Sequence, residues 1–354
     1  MIRLARPWIE DAERDAVLEV MRTGMLVMGK NVAAFEARLA EATSRTHAIA
    51  VGSGTAALEL ALEALDIRDG EVLCPDLSWP SPAHAVARSG AGLRLVDIDP
   101  DTWNVTASGL QAARSSQTRA AIVIDQFGNP GPDAAEALDG LPIIVDAACS
   151  LGARAHGQPA GSFGDIACMS FHPRKVITTS EGGVCLTDDD DLAARLRVLR
   201  NHGVSGPGAF GEPAGNQRMS EMAAAMGLAQ MDRLDTILER RRTLAARYQK
   251  ALEGRGLQRA MPGAQSNWQT FGVVLEDGLD RDAIITNLRA EGIEAGRLSY
   301  ALHRLGSLAA RHVGGPFPVA ERVERQGLAL PLHPLLSLAD QDRVIETFLR
   351  ETTP

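Results

Sequence analysis

The first candidate for a residue that carries out chemistry is the lysine in the stretch "SFHPRKVITTSEGG", residues 170–183. Lys175 lies between a serine and a glycine pair, and a lysine in a desolvated site acts as a nucleophile or a base. A single lysine in a loop is more often a solvated surface charge. The interpretation of Lys175 therefore depends on the groups that the fold brings to it.

A glycine-containing turn is the second candidate. The segment "HAIAVGSGTAALELAL" places residues 52–55 between a predicted strand and a predicted helix, and backbone N–H groups at a helix N-terminus bind phosphate. Gly52, Gly54 and Ala57 also match the pattern G-x-G-x-x-G/A, and Asp76 follows about twenty residues later, as in NAD-dependent dehydrogenases. The motif alone leaves a dinucleotide site, another phosphate site and a plain tight turn open.

Asp146 distinguishes between these alternatives. It ends the most apolar predicted strand, "LPIIVDA", so its carboxylate should emerge at the carboxyl edge of the sheet, where open α/β sheets bind ligands. Lys175 follows 29 residues later, with Ser170 close to it in sequence. Pyridoxal 5'-phosphate requires donors for its phosphate, a carboxylate for its pyridine nitrogen and an amine for its aldehyde. The three features together predict this cofactor.

The elements that position these residues repeat along the first half of the chain. Short apolar strands alternate with helices, which predicts an α/β fold with a largely parallel sheet covered by helices on both faces. The segments "DIACMSF" and "GGVCLT" flank Lys175 and are predicted to form a hairpin. From about residue 235 a charged helix leads into a shorter strand–helix pattern. We predict a large cofactor-binding domain over 1–235 and a smaller α+β domain over 236–354.

The composition excludes several classes of protein. The 354 residues are 45% hydrophobic and 23% charged with a net charge of −9, which is typical of a soluble protein and disfavours binding to nucleic acid. No apolar run approaches the about 18 residues of a membrane span. The cysteines lack metal-ligand spacing and lie in or beside apolar stretches, which predicts reduced thiols, no metal site and a cytoplasmic protein.

Several longer segments resemble a known family. "SGTAAL", "VDAACSLGA", "GSFGDIACMSFHPRKVITTSEGG", "LRNHG" and "NQRMSEMAAAMGLAQMDRLD" are similar to the DegT/DnrJ/EryC1/StrS aminotransferases, which are fold-type I pyridoxal phosphate enzymes. The resemblance runs nearly from end to end. It implies ping-pong transfer of an amino group, with glutamate as the expected donor, to a keto sugar, expected to be nucleotide-linked. A cyclitol or other carbocyclic ketone as acceptor, and a non-catalytic cofactor-binding sensor or scaffold, remain alternatives.

The resemblance also implies roles for individual residues. Lys175 would hold the cofactor as a Schiff base and act as the base, and Asp146 would pair with the pyridine nitrogen. Gly54, Thr55 and Ser170 would hold the phosphate.

Trp79 would stack on the ring, and Asn216 would reach the phosphate in the neighbouring subunit, which implies a homodimer with shared sites. Tyr300 and His303 would line the sugar pocket. Residues 201–215, rich in glycine and proline, are expected to form a mobile loop, either a lid or a subunit-crossing element.

Three positions depart from the family pattern. Cys149 stands where glutamine or histidine contacts the phenolic oxygen of the cofactor, and a thiol is a poorer hydrogen-bond donor. Ser180 stands where glycine is frequent, and Asp125 where histidine is common. Because Lys175 is present, transamination is favoured over the dehydration carried out by relatives with histidine at that position.

Overall fold

The computed structural model describes residues 1–353, which fold as an α/β protein. The helices are α1 (Asp11–Thr23), α2 (Lys30–Thr43), α3 (Gly54–Ala64), α4 (Ser81–Ser89), α5 (Ala107–Ala113), α6 (Pro132–Ala135), α7 (Asp190–Arg200), α8 (Glu221–Met231), α9 (Leu234–Ala251), α10 (Arg281–Ala290), α11 (Pro318–Gln326) and α12 (Leu338–Thr352). Among residues 1–353, none of the helices is both long and apolar enough to cross a membrane.

The strands are mostly short. They are β1 (His47–Val51), β2 (Glu71–Pro75), β3 (Leu77–Ser78), β4 (Gly92–Val96), β5 (Thr118–Ile124), β6 (Ile143–Asp146), β7 (Arg154–Ala155), β8 (Gln158–Pro159), β9 (Ile166–Ser170), β10 (Gly183–Thr187), β11 (Val204–Gly206), β12 (Ala209–Phe210), β13 (Gly256–Leu257), β14 (Ala264–Gln265), β15 (Phe271–Val274), β16 (Gly296–Arg297), β17 (Tyr300–Ala301), β18 (His312–Val313) and β19 (Gly327–Leu330).

The main sheet has eight strands in the order β1-β10-β9-β6-β5-β2-β4-β18. All neighbours from β9 to β18 are parallel, whereas β1, β10 and β9 pair antiparallel. Alternate residues of one strand belong to two different cores: Ile122 packs on one face and Val123 on the other. Burial on both faces explains the nearly continuous apolar strands and confirms the predicted, largely parallel sheet.

The predicted hairpin around Lys175 is present. Strands β9 and β10 pair antiparallel, with Gly183 opposite Ser170. The connecting residues 171–182 form a compact loop closed by two backbone hydrogen bonds of Phe171, from its N–H to the Gly182 oxygen (2.9 Å) and from the Thr179 N–H to its oxygen (3.0 Å). The hairpin therefore holds Lys175 at the carboxyl edge of the sheet.

A second sheet lies in the C-terminal part, with four antiparallel strands in the order β13-β15-β19-β16. Contacts between the C-terminal part and the rest of the chain include the bridge of Ile2 to Ile293 and the pairing of β18 with β4 at the edge of the main sheet. Strands β17 and β14 likewise pair with β3 and β7. The domain boundary at residue 235 stays a prediction. The segment 201–215 is not a plain loop, because it contains the short hairpin β11–β12.

Candidate active site

The first turn of α3 packs closely against the end of β9. A Cβ atom at Gly54 would lie 2.7 Å from the Cβ of Ser170, so glycine is required for this approach. The Ser53 side chain caps α3 by accepting from the Ala56 N–H at 3.1 Å. The structure thus brings Gly54 and Ser170, two of the predicted phosphate residues, together at a helix N-terminus that attracts anions.

Thr55 links two helix N-termini. Its hydroxyl oxygen lies 2.9 Å from that of Ser81, the first residue of α4. Both side chains are partly exposed, and the hydroxyl that accepts in this pair can donate its own hydrogen to a further acceptor. This edge of the sheet therefore presents hydroxyl and backbone donors from α3, α4 and β9, a donor set suited to a phosphate group.

Asp146 is the last residue of β6 and is only 7% exposed. One carboxylate oxygen accepts a hydrogen bond from the Ala148 N–H at 3.1 Å. Burial raises the pKa of Asp146, while the positive charge of Lys175 and the Ala148 hydrogen bond lower it. A buried carboxylate with so little compensation favours a cationic partner, and a protonated pyridine nitrogen is such a partner.

The Lys175 side chain is half-buried and contacts the loop that follows β6. Its Nζ lies 3.1 Å from the Sγ of Cys149, and its own backbone N–H donates to the His172 oxygen at 2.8 Å. The structure therefore brings Lys175, Cys149 and Asp146 into one cluster. Cys149 occupies the position predicted for a contact to the cofactor ring.

A segment leading into β15 holds the backbone of this cluster through side-chain amides. The buried Asn267 donates through Nδ2 to the Cys149 oxygen (2.8 Å) and the Leu151 oxygen (2.9 Å). Its Oδ1 accepts from the Gln269 N–H (2.9 Å), and Gln269 Nε2 donates to the Arg174 oxygen at 2.7 Å. The sequence analysis missed both amides; their only signal is two polar residues beside an apolar strand.

Asp125 lies at the end of β5, beside the strand that carries Asp146. Its carboxylate is buried and accepts from the Ser150 hydroxyl at 2.6 Å and the Gly131 N–H at 3.2 Å. Burial raises the pKa of Asp125 to about 7; the two hydrogen bonds oppose the rise and the negative charge of Asp146 adds to it. The residue that replaces the family's histidine is thus half-protonated near neutral pH.

Trp79 and Tyr300 lie together. Trp79 is 64% exposed, and its ring meets the Tyr300 ring edge-on with centroids 5.8 Å apart. The contact follows from the pairing of β17 with β3, which places Tyr300 opposite Ser78. An exposed indole at a ligand-binding edge is free to stack on a planar ring.

His303 has a different environment. Its Nδ1 lies 2.6 Å from a carboxylate oxygen of the buried Asp76, its backbone N–H donates to the other oxygen at 2.8 Å, and its ring packs on Phe317. Burial raises the pKa of Asp76 to about 6, against the hydrogen bonds from His303. The His303 side chain anchors its own segment to the large sheet, and its role in lining a sugar pocket stays a prediction.

Asn216 is exposed, and its Oδ1 accepts from the Arg218 Nε at 2.9 Å. The adjacent Gln217 oxygen accepts from the Gly52 N–H at 2.8 Å, so Asn216 lies close to the glycine-containing turn, residues 52–55, of its own chain. Its contact with a neighbouring subunit stays a prediction.

The dehydrogenase alternative is wrong on structural grounds. In a dinucleotide-binding fold the glycine turn follows a strand in the middle of a parallel sheet. Here β1 is an edge strand that pairs antiparallel with β10, and β2 lies at the far side of β5. Asp76 is buried against His303 and cannot reach a ribose hydroxyl.

Comparison with known proteins identifies the family. The profile of the DegT/DnrJ/EryC1/StrS aminotransferase family matches residues 7–349. The chain belongs to this family. It is 37% identical over 361 aligned positions to a GDP-perosamine synthase of Caulobacter vibrioides, covering 97% of this chain and 96% of the relative.

Solved structures of relatives share the fold over the whole chain. DesV from S. venezuelae, solved in complex with a ketimine intermediate, is 31% identical with a TM-score of 0.93, over 99% of this chain and 100% of DesV. The putative sugar aminotransferase Spr1654 from Streptococcus pneumoniae in its PLP-form is 26% identical with a TM-score of 0.92, over 99% of this chain and 98% of the relative.

These findings confirm the predicted family, fold class, activity class and cofactor: the protein is a pyridoxal phosphate-dependent aminotransferase. They also favour the enzyme over the non-catalytic sensor or scaffold. The residues present fit the cofactor, because the edge of the sheet offers a glycine-lined donor set, a buried carboxylate, a half-buried amine and an exposed indole. When bound, pyridoxal phosphate supplies the electron sink for exchange of an amino group and a proton at carbon.

Proposed function

We propose that this aminotransferase takes an amino group from glutamate and delivers it to the carbonyl carbon of a nucleotide-linked keto sugar, in two half-reactions. The observation that carries the proposal is the nearly full-length similarity, at 37% identity, to a protein named for GDP-perosamine. The cluster of Lys175, Asp146 and Cys149 at the carboxyl edge of the sheet supports it, since open α/β sheets bind their ligands at that edge.

The proposed roles follow from the contacts of each residue. Lys175 holds the cofactor and moves the proton at the reacting carbon, because its half-buried amine faces the same edge as Asp146. Asp146 keeps the pyridine nitrogen protonated, because a buried carboxylate gains most from a cationic partner. Gly54, Thr55 and Ser170 bind the phosphate.

Trp79 lies against one face of the ring, and Tyr300, which contacts it edge-on, extends this wall toward the sugar. Both assignments rest on the exposure of the indole and on the β3–β17 pairing. The enzyme's place in the cytoplasm is part of the proposal, supported by four free cysteines.

The working form is a homodimer with sites shared between subunits. One observation in support is a run of exposed apolar side chains around the end of α1, a type of surface that marks interfaces: Leu18, Met21, Met25, Leu26, Val27 and Met28. Phe210 on the hairpin β11–β12 is 70% exposed, which suits a subunit-crossing element. Asn216 is exposed close to this hairpin and can reach a partner.

Mixing two inactive variants tests the shared site. If Asn216 serves the partner's cofactor, a heterodimer of Lys175→Ala and Asn216→Ala chains contains one site with both residues intact, and activity returns on mixing. If Asn216 serves its own chain, neither site is intact and mixing restores nothing. The molecular mass in solution, measured over a range of concentrations, checks the dimer separately.

Absorbance spectra of the purified protein with pyridoxal phosphate test the donor. We expect glutamate to remove the visible band of the bound cofactor while one equivalent of 2-oxoglutarate forms, and we expect Lys175→Ala to do neither. A band that glutamate leaves unchanged would refute glutamate as the donor. Turnover of nucleotide-linked keto sugars but not carbocyclic ketones supports the acceptor class, and the reverse result identifies the cyclitol alternative as correct.

A further inference from the structure

The distance of 3.1 Å between Lys175 Nζ and Cys149 Sγ brings a nucleophilic amine to an oxidisable sulfur. Transamination requires the amine and does not require a thiol beside it. Both side chains are only half-buried, so dissolved small molecules can reach them. The pair could therefore undergo a reaction that is separate from transamination.

Both backbones of the pair are fixed by the same short segment. Asn267 donates to the Cys149 oxygen at 2.8 Å, and Gln269 donates to the oxygen of Arg174, the residue before Lys175, at 2.7 Å. The Gln269 N–H in turn donates to Asn267 Oδ1 at 2.9 Å. These hydrogen bonds hold the backbones of the two loops side by side, so the amine and the sulfur can meet without any movement of the backbone.

The remaining cysteines cannot compete for an oxidant. Cys74, Cys168 and Cys185 are fully buried in the sheet, and burial raises the pKa of the Cys74 and Cys168 thiols well above the ordinary value. Oxidation requires access and thiolate character, so it is confined to Cys149.

We propose that Cys149 and Lys175 form a reversible sulfur–nitrogen cross-link when peroxide reaches the site and the cofactor does not engage the lysine. The thiol of Cys149 first reduces hydrogen peroxide, giving a sulfenic acid and one water. The neutral Lys175 amine then attacks the sulfur, the S–N bond forms as the S–O bond breaks, and hydroxide leaves with the amine proton as a second water. The sulfur loses two electrons, and the peroxide gains them.

The cross-link occupies the amine that holds the cofactor, so it would keep oxidised protein from loading until a thiol reduces it. It would also protect the sulfur from further, irreversible oxidation. Bound cofactor engages Lys175 and blocks the second step. The cross-link follows from the Cys149–Lys175 geometry alone, and only the protection by cofactor rests on the proposed role of Lys175.

Mass spectrometry of peroxide-treated protein tests the proposal. Cofactor-free protein is treated with hydrogen peroxide, free thiols are blocked, and the peptides containing Cys149 and Lys175 are analysed after digestion. We expect a joined species that has lost two hydrogen atoms relative to the two peptides and that dithiothreitol separates. Protein saturated with pyridoxal phosphate should show no joined species.

Two variants serve as controls, Cys149→Ser, which lacks the sulfur, and Lys175→Arg, which lacks the amine but retains the charge. Each should lose the joined species, and far-UV circular dichroism checks that each has folded. Recovery of Cys149 solely as sulfinic or sulfonic acid, or equal yields of the joined species in Lys175→Arg, would overturn the proposal. A cross-link that forms equally in cofactor-saturated protein would instead contradict the role of Lys175 in holding the cofactor.

Discussion

The substitution Asp125→Asn should stabilise the protein most strongly at alkaline pH, and should leave it unchanged only below the ordinary carboxyl pKa of 3.8. Burial raises the pKa of this carboxyl from 3.8 to about 7. The folded protein therefore keeps a proton that the unfolded chain loses between these values, so the free energy of unfolding falls as pH rises through this window and levels off above it. At about 1.4 kcal/mol per pKa unit, the ionised Asp125 costs at most about 4 kcal/mol.

Asparagine removes this cost without creating an unpaired group. Its Oδ1 can accept from the Gly131 N–H, as the carboxylate does, and its Nδ2 can donate to the Ser150 hydroxyl oxygen. That hydroxyl can then donate to the Ala147 oxygen, which lies 3.3 Å away. Every polar atom keeps a partner, so the neutral amide replaces the protonated carboxyl with little change in stability at low pH.

Urea unfolding of cofactor-free protein at pH 5 and pH 8, at one protein concentration, measures the effect. We expect the midpoint of Asp125→Asn to exceed that of the wild type slightly at pH 5, where the carboxyl of the unfolded chain is already largely ionised, and by much more at pH 8. The exposed Asp139 provides a matched control, since Asp139→Asn should shift neither midpoint. Equal stabilities of wild type and Asp125→Asn at both values would show that Asp125 is not a buried carboxyl with a raised pKa.

Three further substitutions test the geometry of the site. Gly54→Ala should weaken cofactor binding, because its Cβ would lie 2.7 Å from a neighbouring serine, whereas Gly206→Ala, with no heavy atom closer than 4.0 Å, should not; titration with pyridoxal phosphate compares them. Ser180→Gly should raise the free energy of unfolding by about 1 kcal/mol, since φ is +70° at this residue; an unchanged urea midpoint would contradict the strain. Gln269→Leu leaves the Arg174 oxygen without its amide donor and should lower cofactor affinity by about tenfold; unchanged affinity would show that the amide does not position Lys175.

The chemical groups at strand ends could be predicted from sequence because their positions depend on local patterns. A buried apolar strand that ends in Asp146 and a hairpin that brackets Lys175 put both residues at one edge of a parallel sheet. The glycine turn before α3 also has a local cause, since Gly54 must pack against the strand that carries Ser170. In each case the pattern of apolar residues predicted the strand or helix, and the residue at its end predicted the chemical group placed there.

The partners of these groups could not be predicted, because they depend on contacts between distant segments. Asn267 lies more than a hundred residues from Cys149, and nothing in its neighbourhood distinguishes it from a loop amide. For Asp76, contacts between distant segments excluded a role that the sequence had suggested. Its spacing from the glycine turn suggested a ribose contact, but the edge position of β1 and the approach of His303 from the C-terminal part determine its environment.

The two-residue strand β18 has a consequence for attempts to divide the protein. It comes from the C-terminal part yet pairs with β4, Gly92–Val96, at the outer edge of the main sheet. A chain ending at residue 235 would lack β18 and leave β4 with unpaired backbone N–H and C=O groups. Exposed sheet edges of this kind recruit strands from other molecules. The shortened protein would thus be prone to self-association and aggregation, even though the strands that carry the cofactor-binding residues would all be present.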